Sequence, residues 1–293
     1  MSYQPHEILL HQARPKAELW RLALGVVLVV VTWFALGLIS DMFLLPAVLA
    51  LTGGADLYSG SDPAGMAILL GNFIFATIAV GLVLQMLHGR SLGTLVGPRA
   101  LLLHQGLQVG RVLLLVLVVL LVLPPYDMGA PLVSNLAFGQ WVALLPLSLV
   151  LVLIQVSAEE ILFRGYLQQG LAARFKSPLV WLVLPSLLFG MGHYMPQEAG
   201  DNAWLIVAGA TLYGMLMADL TARSGSLGPA IAVHFVNNVW ALLIVSSPSS
   251  LNGLALYLHP FAMDDVAALR PWLWVDVMVM LVSWLAARVA IRA

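Results

Sequence analysis

The stretch LVLVLIQVSAEEILFRGYL, residues 149–167, decides the fold of this chain. Apolar residues dominate it on both sides of two adjacent glutamates and one arginine. Across the whole chain, 61% of the residues are hydrophobic and 9% are charged, against about a quarter charged in an ordinary soluble domain. A soluble domain of 293 residues cannot bury so much apolar side chain, because its surface must be wetted by water. Lipid must therefore surround much of the chain.

Runs of about 20 apolar residues, long enough to cross a bilayer as helices, predict eight membrane spans. The spans cover about 19–39, 65–87, 107–124, one segment within 138–173, 178–195, 203–222, 226–246 and 271–291. Lys and Arg are found mainly in alternate loops, with Arg270 as the exception, which places both termini in the cytoplasm. The predicted fold is an all-α, polytopic transmembrane bundle of about eight helices with both termini cytoplasmic.

Six polar side chains lie inside three of the predicted spans, where an ionisable group costs at least about 2.5 kcal/mol at a helix centre. They are Glu159, Glu160 and Arg164 on the fourth span, His193 at the end of the fifth, and His234 and Asn238 on the seventh. Glu160 and Arg164 are four residues apart and therefore neighbours on one helix face. Glu159 lies ~100° around the axis, so it can face a different group.

The depth of these residues predicts the length of the fourth helix. At about 1.5 Å per residue, Asn238 lies ~18 Å and His193 ~22 Å from the cytoplasmic ends of their spans. Glu160 reaches the same layer, at ~21 Å, only if its helix continues to about Arg174. We therefore expect a long helix running to about residue 173. The stretch 138–149 is either its outer extension or a separate interfacial piece.

These motifs resemble those of the CPBP family of intramembrane proteases, also called the Abi or type II CAAX prenyl protease family. The family pattern EExxxR, FxxxH and HxxxN is matched in order by Glu159-Glu160 with Arg164, Phe189 with His193, and His234 with Asn238. The motifs cover roughly residues 155–240. The resemblance implies a catalytic core of helices 4–7 in residues 138–250. Residues 1–137 would hold helices 1–3, and residues 251–293 an external loop and helix 8.

The resemblance also implies an activity, namely an endopeptidase that hydrolyses a peptide bond of a membrane-associated substrate with a glutamate-activated water. By motif position, Glu159 is the base and His193 orients the water. His234 and Asn238 stabilise the oxyanion, while Glu160 and Arg164 support the site. This is physically reasonable, because a carboxylate in an apolar pocket is a usable general base and an oxyanion needs preorganised donors.

No cofactor is favoured by the sequence, and zinc is the alternative. Two histidines and a glutamate (Glu159, His193 and His234) make a sound zinc site with water in the fourth position. The HExxH spacing of a zincin helix is absent. The two histidines come from different helices, so their spacing does not decide between a glutamic and a zinc mechanism. The absence of cysteine removes thiolate ligands and a cysteine nucleophile.

Two other functions compete with the endopeptidase. The first is a non-catalytic membrane scaffold or bacteriocin-immunity protein on the same fold. The second is a proton-coupled transporter, which is disfavoured because no internal repeat is visible. The expected partners are the lipid bilayer and a membrane protein or peptide substrate. A net charge of −1 with no basic run argues against nucleic acid. We expect an integral protein of a bacterial inner membrane, while the sequence specifies neither a substrate nor an oligomeric state.

Overall fold

The computed structural model describes residues 3–52, 58–123 and 130–292. Within these ranges eight principal helices, α1 to α8, dominate the chain, and each overlaps one predicted span. Their bounds are Leu19–Thr52, Pro63–His88, Arg99–Val122, Phe138–Arg174, Pro178–Met191, Ala203–Ser224, Gly228–Ile244 and Val266–Ala290. Strands are limited to a few residues. The predicted all-α helical membrane bundle is therefore confirmed.

Six of the helices are long and apolar enough to cross a bilayer, if α6 is counted with the short helix that precedes it from Pro196. Helices α5 and α7 are shorter. The 14 residues of α5 extend for about 21 Å, which is less than the ~30 Å of bilayer hydrocarbon. The number of crossings and the cytoplasmic location of both termini therefore stay predictions.

Helix α1 is longer than the sequence predicted. Its predicted end near residue 39 is wrong, because the helix continues past Asp41 and Pro46 to Thr52. Apolar side chains on this extension, such as Met42 and Phe43, are exposed on the protein surface and suit a lipid environment. Proline is tolerated in membrane helices because neighbouring groups can satisfy the freed backbone carbonyl. Part of the predicted external loop, residues 53–57, lies outside the described residues.

Helix α4 runs without interruption over 37 residues, from Phe138 to Arg174. The predicted long helix to about residue 173 is confirmed, and 138–149 is its outer extension rather than a separate piece. Residues Ile161–Leu167 form a π-helical segment between the α-helical stretches Phe138–Glu160 and Gln168–Arg174. A π segment widens the helix locally and is frequent at functional sites. Here it begins directly after the two glutamates.

Glycines let α5 and α6 approach closely. A Cβ on Gly214 of α6 would lie 2.9 Å from the Cβ of Ser186 on α5. A Cβ on Gly190 of α5 would lie 2.8 Å from the carbonyl oxygen of Val207 on α6. Helix α7 packs between α3 and α4, and α6 also contacts α7 and α8. The four helices that carry the site, α4 to α7, are thereby gathered around one point.

The segment before α1 docks against the predicted cytoplasmic end of the bundle. It forms short helical turns at Gln4–His6, Glu7–Leu10 and Arg14–Lys16. The Tyr3 hydroxyl donates a hydrogen bond to Oδ1 of Asp219 at 2.8 Å. The His6 ring is buried, with its centre 5.0 Å from that of Trp181. Burial lowers the pKa of His6 to about 4.

The remaining elements are short. Helical turns span Gly93–Val96, Pro196–Ala199 and Gly200–Asn202. Three two-residue strands, β1 (Val133–Ser134), β2 (Val245–Ser246) and β3 (Tyr257–Leu258), form a sheet in the order β1-β3-β2. Strand β3 is antiparallel to β1 and parallel to β2. The sheet ties the segment before α4 to the segments that follow α7.

The predicted division into three parts stays a prediction. The buried side chains do not follow its boundaries, since one hydrophobic cluster contains Val109, Val233 and Ala287, one from each part.

Candidate active site

The acidic pair on α4 is anchored by an arginine one turn further along the helix. Glu160 is fully buried and Arg164 is 1% exposed. The Nη1 atom of Arg164 donates to Oε1 of Glu160 at 3.0 Å, and Nη2 donates to the carbonyl oxygen of Gly214 at 3.2 Å. The guanidinium carbon also lies 4.7 Å from the ring centre of Phe189. Arg164 therefore neutralises Glu160 and fastens α4 to α6, as the i,i+4 spacing predicted for the pair.

His234 on α7 contacts both glutamates. Its Nδ1 lies 2.8 Å from Oε1 of Glu160, and its Nε2 lies 3.5 Å from Oε2 of Glu159. Since a carboxylate accepts hydrogen bonds, Nδ1 carries the proton and donates it to Glu160. The 3.5 Å separation from Glu159 is too long for a good hydrogen bond. The Glu159 side chain is 16% exposed, so it is the acid of the pair that opens outward.

Asn238 lies one turn beyond His234 and pairs with a residue that the sequence analysis did not select. Its Nδ2 donates to Oε1 of Gln155 at 2.8 Å. Gln155 precedes Glu159 by four residues, so the two share a face of α4. Two pairs of polar side chains therefore connect α4 and α7. They are Gln155 with Asn238 and Glu159 with His234. The i,i+4 spacing of Gln155 to Glu159 was the signal that could have found it.

His193 is not brought into contact with the glutamates. Helix α5 ends at Met191, and His193 lies in the turn that follows it. Its Nδ1 donates to the carbonyl oxygen of Phe189 at 3.0 Å, which leaves Nε2 as an acceptor in the neutral ring. The ring of Phe189 contacts the rings of both histidines, with its centre 4.7 Å from that of His193 and 6.0 Å from that of His234.

A tyrosine from α6 completes the surroundings of His234. The ring centre of Tyr213 lies 5.4 Å from that of His234 in an edge-to-face arrangement. The Tyr213 hydroxyl is buried and has no hydrogen-bond partner among the residues that the structure describes. The same holds for Oε2 of Glu159 and Oε2 of Glu160. Tyr213 was not predicted from the sequence, because a tyrosine in an apolar span carries no signal of its own.

The residues named for zinc are not arranged as ligands of one ion. Within residues 3–52, 58–123 and 130–292, no three His, Asp or Glu side chains are grouped so that they could hold a metal. His193 lies beyond Phe189, and both ring nitrogens of His234 face carboxylates. The choice between a glutamic and a zinc mechanism stays a prediction, to be decided by measurement.

Comparisons with known proteins point to the same family as the motifs. Residues 129–240 match the family described as type II CAAX prenyl endopeptidase Rce1-like. The chain is 27% identical over 184 residues to the uncharacterized protein YyaK of Bacillus subtilis. That alignment covers 62% of this chain and 61% of the relative, so the chain spans less than two thirds of the length of YyaK. No solved structure matches the chain. All six predicted site residues fall within the matched segment.

Proposed function

We propose that this protein is an intramembrane endopeptidase, because residues 129–240 match the family described as type II CAAX prenyl endopeptidase Rce1-like. It hydrolyses a peptide bond of a membrane-associated protein with a water molecule activated by Glu159. The proposal is supported most directly by one buried cluster. It contains Glu159, Glu160, Arg164 and His234. The bacterial relative makes a bacterial inner membrane the expected location.

The two adjacent glutamates take different roles because their surroundings differ. Glu160 is buried, is neutralised by Arg164 and accepts the Nδ1 proton of His234. It therefore fixes the orientation and tautomer of the imidazole, as a buried carboxylate does for the histidine of a hydrolytic triad. Glu159 has no such restraint, and its Oε2 is left available for water.

The chemical step follows from this arrangement. Glu159 accepts a proton from water while the water oxygen attacks the carbonyl carbon of the substrate peptide bond. The resulting tetrahedral intermediate collapses when the carbon–nitrogen bond breaks and the proton passes to the leaving nitrogen. The products are a carboxylic acid and an amine, which ionise in water to a carboxylate and an ammonium group. General acid–base catalysis of this kind contributes typically about 10²–10⁴ in rate.

The other predicted residues sit at the edge of the cluster. The Nε2 atom of His193 carries a lone pair that can accept a hydrogen bond from the attacking water. Asn238 uses one amide hydrogen for Gln155, and its second can be donated to the oxyanion. His234 is a poor oxyanion donor in this arrangement, because both its nitrogens already face carboxylates. We therefore assign the oxyanion role to Asn238 and the supporting role to His234.

The test compares wild-type protein in liposomes with the Glu159→Gln variant on a panel of membrane-anchored peptides. Glutamine keeps the size of the side chain but cannot accept the proton, so cleavage is expected to fall by about 10²–10⁴. Glu7→Gln is the matched control, because Glu7 is exposed in the segment before α1, where it pairs with Arg14. Cleavage that persists in Glu159→Gln would exclude this residue as the base. Wild-type protein that cleaves none of the panel favours the non-catalytic scaffold instead.

Metal dependence is measured on the same preparation. Metal content and the effect of a chelator on cleavage distinguish the two mechanisms. The glutamic mechanism predicts full activity in metal-free protein, whereas loss of activity that zinc restores would establish the zinc alternative.

A further inference from the structure

Tyr213 enters the proposed active site from α6, opposite the helix that carries the glutamates. The side chain is 5% exposed. Its ring contacts His234 edge-to-face and lies 6.5 Å, centre to centre, from Phe189. The next residue, Gly214, accepts a hydrogen bond from Arg164, which fixes the height of this turn of α6 beside the acidic pair.

The hydroxyl of Tyr213 is unusual because it is buried without a hydrogen-bond partner among the described residues. Buried tyrosine hydroxyls normally find a partner. Packing alone would be served equally well by phenylalanine, which has no polar atom to bury. The Tyr213 ring meets the His234 ring edge-to-face, and His234 contacts both glutamates, so the tyrosine lies next to the ionic cluster.

The two glutamates supply the acceptors that this donor lacks. Oε2 of Glu159 and Oε2 of Glu160 are buried and have no hydrogen-bond partner in the described part of the chain. Their other contacts are with His234 and Arg164. One hydroxyl donor and two carboxylate acceptors around a single imidazole match the needs of a buried water, which usually has two to four polar partners.

We infer that Tyr213 is a positioning residue whose hydroxyl donates, through a bound water, to the unpaired oxygens of the acidic pair. Tyr213 thereby holds a water beside the acidic pair, where Glu159 can accept a proton from it. This inference rests on the proposed function. The charged and titratable groups that face the tyrosine are Glu159, Glu160, Arg164 and His234.

The kinetic test is Tyr213→Phe, which removes the hydroxyl and keeps the ring contacts with His234 and Phe189. We expect kcat to fall about tenfold while KM changes less than about twofold, since the variant alters the base and not the substrate surface.

The matched control is Tyr166→Phe on α4. Its hydroxyl is hydrogen-bonded to Nε2 of His88 at 3.0 Å, away from the glutamates. This variant loses a hydrogen bond and some stability, but its kcat is expected to match that of the wild type. A kcat for Tyr213→Phe equal to that of the wild type would overturn the inference, as would an equal fall in the control.

A structural measurement separates this inference from the proposed function. High-resolution maps of the wild type are expected to show a water within about 3.2 Å of the Tyr213 hydroxyl and of a glutamate Oε2. The map of Tyr213→Phe is expected to lack it. Wild type without peptidase activity but with this water refutes the proposed function alone. Active wild type without the water refutes the role of Tyr213 alone.

Discussion

Replacement of Arg164 by methionine tests the ionic core of the site most directly. Methionine keeps much of the aliphatic length of the side chain but removes the charge and all its donors. Glu160 would lose the partner at 3.0 Å, and the carbonyl oxygen of Gly214 would lose the donor at 3.2 Å. The position is 1% exposed, so water does not readily replace either interaction. The contact of the guanidinium with the face of Phe189 would also be lost.

The size of the effect follows from the burial of the pair. Removing one partner of a buried ion pair typically costs about 3–5 kcal/mol, because an uncompensated charge is left inside. Replacing both partners by uncharged residues is far milder. The double variant Glu160→Gln/Arg164→Met should therefore be more stable than Arg164→Met alone, by about 2 kcal/mol or more. The glutamine keeps an oxygen that can accept from Nδ1 of His234.

The assay is reversible unfolding of the purified protein in lipid–detergent micelles on addition of a denaturing detergent. The free energies of unfolding of the variants are compared in a double-mutant cycle. Arg14→Met is the control, because its pair with Glu7 at 2.7 Å is more than half exposed. Such a surface pair contributes about 0–1 kcal/mol. Arg164→Met with a stability like that of the control would refute the reasoning. A double variant no more stable than Arg164→Met would show that the stranded charge is not the cause of the loss.

Two further predictions concern packing and the segment before α1. Gly214→Ala should destabilise the protein by about 1–3 kcal/mol, because its Cβ would lie 2.9 Å from the Cβ of Ser186. Gly209→Ala, on the same helix with open space around it, should be neutral or slightly stabilising in the same unfolding assay. His6 is buried, and its pKa is lowered to about 4, below the ordinary value near 6.5. As the pH falls, His6 therefore binds a proton in the unfolded segment before it does so in the docked one. The docking of this segment should therefore be fully stable above about pH 6.5 and weaken by up to about 3 kcal/mol as the pH falls toward 4. His6→Phe should remove this dependence and the exposed His11→Phe should keep it, as followed by limited proteolysis of the segment across this pH range.

The parts of the structure that sequence could predict are those fixed by local spacing. The apolar runs set the helices, and the i,i+4 spacing of Glu160 and Arg164 set their ion pair. Matching the depth of residues on separate spans predicted that the fourth helix continues to about residue 173. Each helix rises by about 1.5 Å per residue, so the position of a residue in the sequence gives its depth along the helix axis.

The parts that sequence could not predict depend on how helices rotate and where they end. Nothing in the sequence indicated that α5 would end at Met191, which puts His193 in a turn against the ring of Phe189. The i,i+4 spacing places Gln155 on the face of Glu159, but it does not identify Asn238 as the partner of Gln155, because a hydrogen bond between helices depends on both faces. The π segment that follows Glu160 also changes the helix phase.

The six predicted residues differ in solvent exposure, and this difference gives a physical reason for their different proposed roles. Glu160, Arg164 and His234 are buried and paired with one another, so a substrate cannot reach them without breaking an ionic network. Glu159, His193 and Asn238 are each partly exposed, and each retains hydrogen-bonding capacity beyond its contact within the protein. A hydrolase needs both buried and exposed polar groups. The atoms that contact water and the peptide must be accessible, while the residues that hold them in position must be rigid. The substrate peptide should therefore approach the cluster from the side on which the partly exposed residues lie. On that side the ring of Phe189, which contacts His193 and His234, supplies an apolar surface.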